Sequence, residues 1–132
     1  QYQLFTKQVV QFEQMLFEDG IALVKLWFSI DKKEQEKRLE ERKTNPLISW
    51  KLSTVDALAQ QKWDDFTHYK ELMFKKTATP TSPWVVVKGN DKDLARKEAM
   101  RYVLNQVKYT NRGSTGTKLD YNPAIVSVIS NS

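Results

Sequence analysis

Apolar residues are concentrated in one nearly continuous run, from Ile21 to Ile30. Continuous rather than alternating apolar residues are typical of a strand that is covered on both faces in a mostly parallel sheet. The only charged residue in the run is Lys25, which therefore needs a partner or a route to solvent. The run predicts a buried strand.

Upstream of this strand, apolar residues recur every three or four positions, which predicts a helix with one apolar face. The residues at this spacing are Leu4, Phe5, Val9, Phe12, Leu16 and Phe17. We expect the helix to end at Asp19-Gly20, because glycine takes the left-handed conformation past a helix terminus most readily.

The strand leads directly into a highly charged segment that predicts a polar helix. Asp31 is placed to cap it, with Glu34 three residues further on, as in a capping box. Arg38 and Arg42 lie four residues apart and share a face, and Glu34 is spaced to pair with Arg38. A strand that opens onto such a helix is a place where α/β proteins handle phosphate. Two interpretations stay open: a solvated helix laced with ion pairs, or two guanidinium groups that bind phosphate oxygens.

Asn45-Pro46 ends this helix, because proline disfavours helical geometry in the residue before it. The spacing of Ser53 and Asp56 predicts the cap of a further helix that runs to about Lys76.

Aromatic residues follow the helical period in that further helix. Trp63 and Phe66 are interpreted as packing residues, because aromatic stripes at this spacing lie in cores more often than in binding sites. His68 is interpreted as a surface residue without a catalytic role.

The second half of the chain predicts one more strand, one more helix and a tail. A turn cluster at Thr79–Pro83 precedes a short strand at Trp84–Lys88. A helix is expected near Lys92–Lys108, and the alternation of helices and strands gives an α/β fold with the two strands parallel. From Tyr109 onward the chain is polar, and its apolar patch Ala124–Ile129 predicts either disorder or an added edge strand.

Composition narrows the possible chemistry. The chain has 132 residues, no cysteine and one histidine, which fits one domain and excludes a disulfide framework, a Cys/His zinc site and thiol catalysis. No run approaches the roughly 18 apolar residues of a membrane span, and the N-terminus does not look like a signal peptide, so we expect a cytoplasmic protein. A net charge of +5 favours a polyanionic partner.

The strand from Ile21 to Ile30 is too apolar for a sheet of two strands, so the sequence looks like the carboxyl half of a domain whose other strands lie upstream. The chain also lacks a glycine-rich phosphate loop with Lys-Ser or Lys-Thr. Its four glycines, none of them in such a context, are Gly20, Gly89, Gly113 and Gly116.

Several blocks at matching spacing together resemble the polyphosphate kinase 2 family, over about Tyr2 to Tyr109. These blocks are Lys25–Ser29, Glu34–Arg42, Asn45–Asp56, Trp63–Phe66 and Ser82–Val87 ahead of Asp91-Lys92. The sequence departs from the family pattern at Leu26, Asn45 and Phe66, and none of these replaces a charged group assigned to phosphate.

The resemblance implies a P-loop kinase-like α/β/α sandwich with a parallel sheet, of which residues 1–108 are the C-terminal part and residues 109–132 a tail. Residues 31–76 correspond to a mobile helical lid. The implied enzyme is a kinase that transfers phosphoryl groups between inorganic polyphosphate and ADP, AMP, GDP or GMP with Mg²⁺, whose ligands are expected upstream. The resemblance also implies a homo-oligomer, a dimer or tetramer. We expect this chain alone to be inactive.

The resemblance also assigns roles to individual residues. Arg38 corresponds to a lid arginine that holds phosphates and is the expected catalytic residue. The expected phosphate-binding residues are Lys25, Arg38, Arg42 and Lys51. The expected lid-supporting residues are Asp56, Trp63 and Asp64. No metal ligand is expected in this chain.

Other functions remain open on the sequence. A nucleic-acid-binding module fits the basic balance, although acidic residues interrupt the basic helix. An ATP-dependent P-loop nucleotide kinase and, more weakly, a regulatory or inactive relative also fit.

Overall fold

The computed structural model describes residues 1–131, apart from the side chain of Ala57. Ser132, the last residue of the predicted tail, lies outside the described residues. In chain order the elements are α1 (Tyr2–Glu18), β1 (Lys25–Ser29), α2 (Lys32–Thr44), a 3₁₀ turn (Ser49–Lys51), α3 (Thr54–Ala59), α4 (Trp63–Thr77), β2 (Trp84–Lys88), α5 (Lys92–Gln106) and β3 (Val126–Ile129).

The three strands form one sheet in the order β1-β2-β3. β1 and β2 are parallel, with Lys25 opposite Trp84, so the predicted parallel pair is confirmed. The apolar patch of the tail forms β3, which pairs antiparallel with the other edge of β2. The α/β class is confirmed, with a mixed sheet.

The core of the sheet lies between the strands and α5. Its buried members are Val85, Val87, Ala95, Ala99, Tyr102 and Val126. Burial raises the pKa of the Tyr102 phenol above its ordinary value, and neighbouring Tyr121 adds to the effect. The core therefore depends on β3 and on the tail residue Tyr121 as well as on β2 and α5.

The prediction of a buried strand from Ile21 to Ile30 is only partly correct. The strand itself is shorter, Lys25–Ser29, and β1 is an edge of the described sheet with β2 as its partner. Ile21 and Phe28 are about half exposed. The apolar run therefore has less cover than its sequence predicts.

α1 shows the same lack of cover on its apolar face. The helix ends where predicted, with Gly20 at φ 81°, but the residues that it buries are Thr6 and Glu13. Leu4, Phe5, Phe12 and Met15 are 58–66% exposed. Much of the predicted apolar stripe is therefore uncovered by the described residues, although Val9 and Leu16 are half-buried.

Glu13 is buried because it pairs with Lys25. The Lys25 Nζ lies 2.7 Å from the Glu13 Oε2 and donates to the Thr77 carbonyl oxygen, also at 2.7 Å. The same ammonium lies 5.1 Å from the centroid of the Trp84 ring. Lys25 therefore has the partner that its position requires.

An aromatic cluster lies beside this ion pair. The Phe74 ring lies 5.7 Å from Trp27 and 5.5 Å from Trp84, and the two indoles meet edge to face at 6.4 Å. Edge-to-face contacts of this kind add about 0.5–1.5 kcal/mol beyond the area that they bury. The cluster joins β1, β2 and the C-terminal end of α4.

The chain divides into two compact units. One contains Gln1–Ser29 and the chain from Met73 onward, and the other is Ile30–Leu72. α4 passes from the second unit into the first. Within the described residues, no helix combines the length and apolar character that a membrane crossing requires.

We predict that Glu13→Ala destabilises the chain by about 3 kcal/mol or more, because it leaves a buried ammonium without its counter-charge. Urea unfolding followed by circular dichroism measures the change. Glu18→Ala is the matched control on the exposed side of α1 and is expected to change stability by less than about 0.5 kcal/mol. Equal effects of the two substitutions would contradict the predicted contribution of the Glu13–Lys25 ion pair to stability.

Candidate phosphate-binding site

α2 carries both candidate arginines and begins where the sequence predicts. The Asp31 carboxylate accepts a hydrogen bond from the Glu34 backbone N–H at 2.7 Å. The helix ends at Thr44, with Asn45 as its C-cap, so the break at Asn45-Pro46 is also confirmed. Leu39 is the only buried residue of α2, so little apolar burial holds this helix.

Arg38 pairs with Glu34 one helical turn away. The Arg38 Nε donates to the Glu34 Oε1 at 2.7 Å, and the two side chains are 17% and 21% exposed. The predicted pairing is confirmed. A phosphate group that approached Arg38 would compete with this carboxylate.

Arg42 pairs with Asp56, which the sequence did not reveal. The Arg42 Nη1 lies 3.2 Å from the Asp56 Oδ2. The same carboxylate accepts from the Ser53 N–H at 3.1 Å, and the Ser53 hydroxyl accepts from the Asp56 N–H at 3.2 Å. Asp56 thus completes the predicted capping box and links the start of α3 to α2.

Lys51 lies at the end of the 3₁₀ turn and is exposed. Its Nζ lies 5.2 Å from the centroid of the Trp50 ring. Trp50 is 75% exposed, and its indole N–H donates to the Leu47 carbonyl oxygen at 3.1 Å. An exposed ammonium beside an exposed indole is accessible to an anion.

The single helix predicted from Ser53 to about Lys76 is wrong, because α3 and α4 are separate. Residues 60–62 form a turn between them. The Gln60 side-chain amide donates to the Lys32 carbonyl oxygen at 3.3 Å and to the Gln35 Oε1 at 2.8 Å. These bonds tie the turn to α2.

The aromatic and acidic residues of α4 have different environments. Trp63 is half-buried, and Phe66 is exposed. Asp64 is exposed in the first turn of α4, where its negative charge interacts favourably with the helix dipole. The packing interpretation is therefore wrong for Phe66, because no described element covers it. His68 is exposed, as predicted.

Lys25 belongs to the other unit, and its ammonium is used inside that unit by Glu13 and Thr77. In the Ile30–Leu72 unit, the structure pairs Arg42 with Asp56 and, one helical turn earlier on α2, Arg38 with Glu34. The phosphate-binding role of Lys25, Arg42 and Lys51 stays a prediction, as do the catalytic role of Arg38 and the supporting roles of Asp56, Trp63 and Asp64.

The family of the chain follows from comparison with known proteins. The family described as Polyphosphate kinase 2 (PPK2) matches residues 1–115. The chain belongs to this family. A GDP-polyphosphate phosphotransferase of Mycolicibacterium smegmatis is 50% identical over 85% of this chain and 40% of its own length. An ADP-polyphosphate phosphotransferase of Rhizobium meliloti is 40% identical over 85% of this chain and 37% of its own length.

Solved structures agree with this assignment to the PPK2 family. The crystal structure of Polyphosphate Kinase 2 from Arthrobacter aurescens TC1 superposes with a TM-score of 0.73 at 33% identity. The match covers 90% of this chain and 42% of that structure. The chain therefore spans about two-fifths of the length of the relatives that it matches.

We predict that Asp56→Ala loosens the start of α3, because it removes both the acceptor of the Ser53 N–H and the partner of Arg42. The expected loss of stability in this unit is about 1 kcal/mol. Hydrogen exchange at the Ser53 amide measures it. Asp65→Ala is the control, since its ion pair with Lys62 is largely exposed; the same acceleration in both variants would contradict the role of Asp56.

Proposed function

We propose that this chain is part of a polyphosphate:nucleotide phosphotransferase, which moves phosphoryl groups between inorganic polyphosphate and an adenine or guanine nucleotide. Membership of the PPK2 family carries the proposal. The relatives named as GDP- and ADP-polyphosphate phosphotransferases support both nucleotide classes as acceptors.

In this proposal the Ile30–Leu72 unit is the lid over the phosphates. α2 is held by few apolar contacts and presents Arg38 and Arg42 one turn apart. Phosphoryl transfer needs groups held in line and negative charge neutralised on the transferring oxygens, which guanidinium groups do well. A closing cationic lid would also exclude water.

Arg38 is the proposed catalytic residue of the lid, and Arg42 and Lys51 bind phosphates further along the polymer. Asp56, Trp63 and Asp64 support the lid. Lys25 would bind phosphate only if its bonds to Glu13 and Thr77 opened. The internal ion pair therefore makes Lys25 the weakest of the proposed ligands.

Mg²⁺ is the proposed cofactor, and it would supply charge neutralisation on the phosphates when bound. Among residues 1–131 no group of three His, Cys, Asp or Glu side chains is arranged to hold a metal ion. These residues alone do not fit the ion, and the proposal places its ligands and the P-loop in another part of the family fold. A cytoplasmic location and a dimeric or tetrameric assembly complete the proposal.

We predict that Arg38→Ala lowers turnover by about 10³-fold in the enzyme that contains this segment, the low end for an arginine that stabilises a phosphoryl-transfer transition state. Formation of GTP or ATP from polyphosphate measures the rate. Arg38→Lys keeps the charge but not the planar donors and should recover only part of it.

The control for Arg38 is Lys43→Ala on the same helix, where Lys43 makes an exposed ion pair with Glu40. It should leave turnover within about twofold, because an exposed pair contributes little. Near-normal turnover of Arg38→Ala in a folded enzyme would remove Arg38 from the mechanism.

We also predict that the 132-residue chain alone does not transfer phosphoryl groups, because the proposal places the phosphate loop and the metal ligands in another part of the family fold. Incubation with polyphosphate, ADP or GDP and Mg²⁺, with nucleotide analysis by chromatography, tests this. Triphosphate formed by a preparation free of other kinases would contradict it.

A further inference from the structure

The C-terminal end of α4 is capped by groups from distant parts of the chain. The last carbonyl oxygens of any helix lack partners within the helix, and here no glycine follows to close a local cap. The Thr77 carbonyl oxygen accepts a hydrogen bond from the Lys25 ammonium. The side chain of Asn131 supplies further donors.

Asn131 matches this helix end closely. Its Nδ2 donates to the Phe74 and Lys75 carbonyl oxygens, each at 3.0 Å. Its backbone N–H donates to the Ala78 carbonyl oxygen at 3.3 Å. Because both side-chain partners are acceptors, the amide nitrogen and not its oxygen must face them.

Asn131 is held in place by the rest of the tail. It lies two residues after the end of β3, whose last residue, Ile129, is opposite Trp84 in β2. Upstream, the buried carboxylate of Glu98 accepts from the Asn122 N–H at 2.7 Å, and the Asn105 side chain donates to the Leu119 carbonyl oxygen at 2.8 Å.

We propose that Asn131 is a positioning residue that fixes the C-terminal end of α4. The N-terminal part of this helix belongs to the Ile30–Leu72 unit. The tail then contributes to phosphate binding, through its contacts with the C-terminal end of α4. The functional half of this inference rests on the proposed function. Asn131 lies beyond residues 1–115, where the family match ends.

Hydrogen exchange in the 132-residue chain tests the lock without any activity. Asn131→Ala should lower protection of the Thr77 and Ala78 amides about tenfold, the effect of losing roughly two ordinary hydrogen bonds, and leave the β2 amides unchanged. Asn131→Asp, which has the same shape but places oxygens against the carbonyls, should lower protection further. Ser130→Ala, at the exposed neighbouring position, should change nothing.

The outcomes separate the possible errors. Unchanged protection at Thr77 and Ala78 overturns the lock, and equal loss throughout β2 and α5 shows that Asn131 serves only overall stability.

Kinetics of the enzyme containing this segment test the positioning role. Asn131→Ala should raise the KM for polyphosphate about threefold or more with kcat nearly unchanged, and an unchanged KM overturns the positioning role. Absence of phosphotransfer in the wild-type enzyme would overturn the proposed function and leave the exchange result standing.

Discussion

A buried ammonium group determines how the sheet-containing unit is put together. Lys25 reaches the Glu13 carboxylate on α1, the last residue of α4 and the Trp84 ring on β2. Burying one charge without its partner costs several kcal/mol, so the elements must meet in an arrangement that surrounds this group. The Lys25–Glu13 pair thereby constrains how α1, the C-terminal end of α4 and β2 pack around β1, although these elements are far apart in sequence.

The parts of the fold that depend on neighbours in sequence could be predicted. The cap at Asp31, the capping box of Ser53 and Asp56, the break at Asn45-Pro46 and the pairing of Glu34 with Arg38 each need residues no more than four positions apart. Their chemistry is visible in the residue types alone.

The parts that depend on distant residues could not be predicted in detail. Glu13 is twelve positions from Lys25, and Asp56 is fourteen from Arg42, and no local pattern identifies such partners. The antiparallel direction of β3 follows from the path of the tail. The gap between α3 and α4 depends on bonds from Gln60 to α2, and the exposure of Phe66 depends on which elements cover it.

The ion-pair interpretation of α2 describes the observed structure, and under the proposed function the phosphate interpretation would describe a second state of the same surface. Arg38 and Arg42 each face a carboxylate in the structure, and a carboxylate beside a bound polyanion is repelled by it. If these arginines bind phosphate as proposed, the binding is coupled to displacement of Glu34 and Asp56. Since Asp56 also caps α3, ligand binding at Arg42 would alter the start of that helix.

Of the four tryptophans, Trp50 has a distinct environment, because the other three are half-buried. Trp27 and Trp84 are half-buried against Phe74 in one unit, whereas Trp50, in the other, is open to water. An indole in water emits at longer wavelength and is quenched more readily by iodide than one packed against aromatic rings. The long-wavelength, iodide-quenched part of the intrinsic fluorescence therefore reports on the surroundings of Trp50 without an attached dye.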